Sequence, residues 1–264
     1  MPLINLPKPV AILCDVEGTT TSIRFWPSVL APFIAETCRP CLEEWWSRPE
    51  TQDVLVLLRE RSFVEWRDMC DPSCPVILDP DNDRREAVIE SAVSNIRYQI
   101  SNRKHNDELK SLFLLVWLYG YEKDLLRSHV YGDVQQAFSK WNSNGIRIFT
   151  YASGSTLAQQ MLFSRTLHGN LSHLIEYYFD ADTYGKKVHT KSFRLVAEKI
   201  AEPPTKMIFI SDSLEELRPA KLAGFTPILV IRTHNQHLMQ EEKLPFLVIN
   251  SFADINFMGS FETN

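Results

Sequence analysis

The chain has 264 residues, 44% of them hydrophobic, enough to bury a sizeable core in one large domain or in a domain carrying a smaller inserted one. Its formal net charge of -5 offers no basic field to nucleic acid or anionic lipid, and no run of about 18 uncharged apolar residues reads as a membrane span. The opening ten residues hold three prolines and do not read as a signal peptide, and five cysteines, an odd count, read as reduced thiols, so a cytoplasmic protein with a small-molecule ligand is expected.

The first predicted strand, over 10–14, is apolar until it stops on Asp15, and Glu17 follows two residues later in AILCDVEGTT. Behind it the β signal fades. Apolar residues recur at helical spacing over 29–46, 54–69, 84–100 and 109–119, with the loop CDPSCPVILDPDNDRR and its Pro72, Pro75 and Pro80 dividing the segment. The spacings Cys38 to Cys41 and Cys70 to Cys74 are weighed as zinc pairs and read as free thiols instead. Trp45, Trp46, Trp66 and Trp117 are expected to pack this helical segment.

From about Val130 the rhythm changes to helix 134–144 ended by Gly145, strand 146–151 (IRIFTY), helices 156–166 and 191–201, strand 207–211 (MIFIS), helix 214–223 ended by Gly224, and strand 227–231 (PILVI). The strands are continuous and apolar rather than alternating, which predicts a parallel sheet covered by helices. A last strand is expected over 246–250 (FLVIN), followed by a loosely ordered MGSFETN tail.

Ligands of open parallel sheets bind past the carboxyl ends of the strands. Collecting the polar residues there gives Asp15 and Glu17, then Ser153-Gly154-Ser155 after Tyr151-Ala152, then Gly185-Lys186-Lys187, then Ser211-Asp212. Carboxylates gathered at one edge repel each other unless a cation sits among them, and hard oxygen donors suit Mg²⁺. A lysine, a hydroxyl and backbone N–H groups would then cradle a phosphate, with Asp15 available as nucleophile. Taken singly, Ser153-Gly154-Ser155 reads as a helix cap, a role it is expected to combine with phosphate binding; Asp212 reads as a second cap. Glu215 and Glu216 read as charges favouring a helix's positive end, and the seven histidines as surface or satisfied groups.

These four segments, in this order, resemble the motifs of the haloacid dehalogenase-like hydrolases. The Asp-x-Glu-Gly-Thr-Thr form, with YASGSTLAQQMLFSRTLHGNL and FISDSLEEL, is similar to one branch, the enolase-phosphatases (acireductone synthases) of methionine salvage. The resemblance implies an α/β fold: a Rossmann-like parallel-sheet core from 1–20 and 129–264 with an inserted α-helical cap over 21–128. It implies Asp15 as nucleophile and metal ligand, Glu17 as acid and base with its carbonyl on the metal, and Asp212 completing the site of one Mg²⁺ per subunit. Ala152, Ser153 and Lys187 would hold the phosphate of 2,3-diketo-5-methylthiopentyl-1-phosphate. A monomer is expected, in the cytoplasm with presence in the nucleus compatible, binding neither nucleic acid nor membrane.

Three departures stand out. Ala152 replaces the family's usual Ser, and Phe113-Leu114 replace a Gln-Gly pair in LKSLFLLVW. One extra residue between Phe179 and Phe193 makes the motif lysine ambiguous, and counting back from Ser192-Phe193 favours Lys187 over Lys186. Two alternatives follow: a phosphatase of the same fold for another small phosphate ester, or an inactive binding module.

Overall fold

The computed structural model describes residues 3–69, 71–104 and 106–258. The amino-terminal part runs β1 (Ile4–Pro7), β2 (Ala11–Cys14), α1 (Ala31–Glu44), α2 (Pro49–Phe63), α3 (Arg85–Ser101) and α4 (Asp107–Glu122). It continues as α5 (Gly132–Ser143), β3 (Arg147–Ala152), α6 (Thr156–Ser164), β4 (Tyr177–Asp180), α7 (Ala181–Tyr184) and α8 (Thr190–Ile200). The last stretch is β5 (Met207–Ser211), α9 (Leu214–Leu222), β6 (Thr226–Val230), α10 (Gln240–Lys243), β7 (Leu247–Ile249) and β8 (Ile255–Met258). Met258, expected to open the loose tail, instead ends β8; the rest of that tail lies outside the described residues, as does Cys70.

Six strands form one parallel sheet in the order β4-β3-β2-β5-β6-β7, and β1 pairs with β8 in a separate parallel ribbon. Parallel neighbours require crossovers, and helices supply them. Strand β2 is central and wholly buried, which is why its residues are apolar on both faces. Alternate side chains Ala11, Leu13, Phe149, Tyr151, Met207 and Phe209 face α8 and α9, where Phe193 stacks edge-on against Phe209 at 4.9 Å. The opposite face meets α6: Thr150 reaches Gln159 there. Gly145 and Gly224, at φ +73 and +101, end α5 and α9 in the left-handed conformation that glycine adopts without penalty.

The chain divides into two compact units, one from 1–25 and 127–264 and one over Trp26–Leu126. The second is helical throughout. Helix α1 packs on α3 and α4, and α2 on α4, around Ile34, Leu58, Ala92, Ile96, Leu112 and Val116. Wide π-turns over Trp26–Leu30 and Val64–Asp68 extend α1 and α2, and α1 continues through Pro40. Trp45 and Trp117 are buried there as expected, but Trp66 is 47% exposed and packs no core. Phe113 lies against Trp26 with ring centroids 4.8 Å apart. Cys14, Cys38, Cys41 and Cys74 are buried free thiols. Among the described residues no helix is long and apolar enough to cross a membrane.

Candidate active site

Asp15 follows β2 directly and is 4% exposed, its N–H held by the Ile210 carbonyl at 2.9 Å. The chain then winds tightly about one acceptor: the N–H groups of Thr20 and Thr21 and the Thr20 hydroxyl all reach the Val16 carbonyl at 3.0 Å. Gly18 closes the loop at φ +79, and a Cβ there would lie 2.6 Å from the Asp212 carboxyl carbon. Gly18→Ala is therefore expected to cost about 1–3 kcal/mol and to displace Asp212, read as a lower urea midpoint together with weaker Mg²⁺ binding.

Long-range side chains brace the same loop. Asn235 Nδ2 donates to the Gly18 carbonyl at 2.8 Å and Arg232 Nε to the Thr19 carbonyl at 3.0 Å, while the Asp212 N–H donates to Thr19 Oγ1 at 3.1 Å. Arg232 is itself held by Asp133 at 2.8 Å and covered by the Tyr131 ring. The loops carrying Asp15 and Asp212 are thus tied to each other.

Lys187 is buried, and its Nζ bridges Asp15 Oδ1 and Glu216 Oε1, the latter at 2.9 Å; Glu216 also accepts from the Ser211 hydroxyl at 2.8 Å. Lys186 is exposed. Burial alone would favour a neutral amine at Lys187, but the charges of Asp15 and Glu216 outweigh it and raise the ammonium's pKa. Tyr151 donates its hydroxyl to the carbonyl of Gly185, which anchors the turn leading to Lys187. Glu216 is thus more than a charge at the positive end of α9. It sits one turn beyond Asp212, where a helical side chain leans back toward the sheet edge, and that offset is the sequence signal that could have found it.

Three acids surround one lysine. Burial, then Asp15, then Glu216 push the Asp212 carboxyl up to about 7, and burial and Asp15 raise Glu216 as well. Glu17 is reached by solvent but hemmed in by protein, so lost hydration and then the Asp15 charge raise its carboxyl too. Crowded carboxylates that resist ionisation are a donor set suited to a divalent cation, and Asp15 and Asp212 with a backbone carbonyl of the loop fit Mg²⁺. Among the described residues no three His, Cys, Asp or Glu side chains gather as a metal cluster, so further ligands would be carbonyl or water.

The shift has a sign that can be measured. Asp212 binds its proton more tightly folded than unfolded, so its contribution to stability is full below its ordinary 3.8 and is lost as pH rises through about 7. The metal-free protein is expected to lose urea resistance between about pH 4 and 7, Asp212→Asn to flatten that slope, and Mg²⁺ to restore stability at the alkaline end. A slope unchanged in Asp212→Asn would refute the assignment.

The remaining expected residues follow β3. The register pairs Cys14 with Thr150 and with Ile210, so Ala152-Ser153 and Asp212 leave their strands at the same sheet edge as Asp15. Ala152 is buried and Ser153 exposed. Within Ser153-Gly154-Ser155 the cap of α6 is Ser155, whose hydroxyl accepts from the Ala158 N–H at 3.2 Å; the cap position of α9 is Ser213, not Asp212.

Comparison with known proteins identifies the family of the chain. The model of the haloacid dehalogenase-like hydrolase family matches residues 10–224. The chain is 34% identical over 253 residues to Enolase-phosphatase E1 of Anopheles gambiae, covering 96% of this chain and 84% of that one. It is 33% identical over 258 residues to Enolase-phosphatase E1 of Xenopus tropicalis, covering 97% and 98%. The solved UTR4 protein of Saccharomyces cerevisiae superposes with a TM-score of 0.71 at 23% identity over 92% of this chain and 98% of that one, a likeness of fold.

Proposed function

For a chain that belongs to the haloacid dehalogenase-like hydrolases and is a phosphatase by its enolase-phosphatase relatives, we propose the reaction of that branch. The substrate is 2,3-diketo-5-methylthiopentyl-1-phosphate, enolised and then dephosphorylated to the acireductone 1,2-dihydroxy-3-keto-5-methylthiopentene in methionine salvage. Enolisation first makes chemical sense, because an enol oxygen leaves more readily than an alkoxide. The observation that carries the reading is the buried Lys187 bridging Asp15 and Glu216 beside Asp212, at the edge where β2 ends.

Asp15 attacks phosphorus through its carboxylate, forming an aspartyl phosphate as the phosphorus–oxygen ester bond breaks. The leaving oxygen takes its proton from Glu17, whose raised pKa keeps a proton available. Glu17 then removes a proton from water, whose oxygen attacks the same phosphorus and frees Asp15 and inorganic phosphate. Lys187 and the turn after Ala152, including Ser153, hold the phosphate oxygens. Mg²⁺, held by Asp15, Asp212 and the Glu17 carbonyl, would place positive charge against the transferring phosphoryl group.

Substrate selection we assign to the helical unit, in the role of a cap. Its Phe113, packed on Trp26, favours as second reading a phosphatase for another small ester. Buried free thiols support the cytoplasmic assignment, and a monomer is the simplest working unit. With Mg²⁺, phosphate release from the diketone phosphate should exceed that from a panel of sugar phosphates. Hydrolysis of a sugar phosphate alone would establish the second reading, and no turnover of any ester would leave a binding module.

A further inference from the structure

The turn after β3 has no hydroxyl at Ala152, so its backbone must do more of the work of holding an anion. Among the described residues, the N–H groups of Ser153, Gly154 and Ser155 have no acceptor in the protein. What fixes their direction is not the glycine. Gly154 does not adopt a positive φ, and a Cβ on it would meet only the Ala158 side chain at 3.9 Å.

The fixing group is Gln159, 3% exposed on the first turns of α6. Its Nε2 donates to the Gly154 carbonyl at 3.1 Å and to the Phe179 carbonyl of β4 at 2.8 Å. Its Oε1 accepts from the Thr150 hydroxyl of β3 at 2.7 Å. The amide can sit only one way round, since reversing it would set its oxygen against two carbonyl oxygens. With the Gly154 carbonyl drawn inward, a planar trans peptide turns the Ser155 N–H to the opposite side, away from Gln159.

We propose that Gln159 is a positioning residue of the phosphate-binding turn: a buried amide that clamps β3, β4 and the Gly154 carbonyl so that the Ser155 N–H, on the other side of that peptide, is held out toward a phosphate. The inference rests on the phosphatase reading given above. It also accounts for the tolerance of alanine at 152, because donors aimed in advance cost no ordering when the anion arrives.

The test uses Gln159→Met, which keeps the volume and removes the hydrogen bonds, beside Thr150→Val and Thr150→Ser. The readouts are calorimetric binding of inorganic phosphate with Mg²⁺ present, steady-state kinetics on a phosphate ester, and thermal midpoint. In Gln159→Met, the phosphate Kd and KM should rise together by about tenfold or more, with kcat changed less than about threefold, because the lost contact serves ground and transition states alike. Thr150→Val should show a smaller shift in the same direction, and Thr150→Ser should restore wild-type values. A role confined to joining α6 to the sheet would lower the midpoint and leave Kd unmoved. A folded Gln159→Met with wild-type Kd overturns the proposal; if that variant does not fold, wild-type Kd in Thr150→Val does so. A wild-type protein that binds phosphate but turns over no ester overturns the phosphatase reading, and the Kd comparison still decides the role of Gln159. A wild-type protein that binds no phosphate overturns both.

Discussion

Asp15→Asn is expected to cut turnover of phosphate esters by at least about 10⁴-fold, because an amide oxygen is too weak a nucleophile to form the phosphoryl intermediate. The fold should survive the change. The substituted side chain keeps the shape, the backbone N–H bond to Ile210 is untouched, and one of the acids that push Asp212 up to about 7 is gone. Lys187 loses one partner but keeps Glu216 at 2.9 Å. Activity and stability should therefore separate, with a large loss of rate and a urea midpoint at about pH 8 that is equal to the wild type or higher. Turnover within tenfold of wild type would remove Asp15 from the chemistry.

Lys187→Met should show the reverse balance, with stability lost as well as rate. The lysine is the buried cation between Asp15 and Glu216, so its removal leaves those acids to face each other and Asp212 without compensation. Breaking a buried pair from one side costs about 3–5 kcal/mol. The cost should depend on pH. Because the Asp212 carboxyl is pushed up to about 7, it is largely neutral near pH 5, and burial and Asp15 raise Glu216 in the same direction, so the loss should be smaller near pH 5 than near pH 8. Mg²⁺ should recover part of it, since a second cation can take up the same field. Chemical denaturation of the variant at the two pH values, with and without Mg²⁺, measures each element. A midpoint unchanged at both pH values would show that Lys187 is not what holds the acids together.

What could be read from the sequence depended on how much of each signal was local. Strands β2 and β5 are buried on both faces and announce themselves as AILC and MIFIS. Strand β4 does not, because its four residues begin on the exposed Tyr177 and end on Asp180, which at once caps α7. The ribbon of β1 with β8 joins segments about as far apart as the chain allows, one of them ending on Pro7, so neither carries a strand signal of its own. Helical spacing in the second unit was legible, but Trp66 falls on a π-turn, where the register of the preceding helix no longer predicts the inward face.

The site follows the same logic. Residues at strand ends could be named in advance because topology assigns them a place, whereas Gln159, Asn235 and Arg232 act on backbone carbonyls, which leave no mark in a sequence. Glu216 was hidden differently: the helix dipole gave it a sufficient local reason to exist, and only its pairing with Lys187 shows a second one.

The central place of β2 bears on how the protein is made. Strand β2 is made well before the two strands that flank it, which start at Arg147 and Met207. Until β3 emerges this apolar segment has both edges unpaired, and until β5 emerges it has one, while the helical unit over Trp26–Leu126 is contiguous and can form as soon as it is made. The central strand is therefore completed late, and truncation anywhere before the fifth strand leaves β2 with an unpaired, apolar edge.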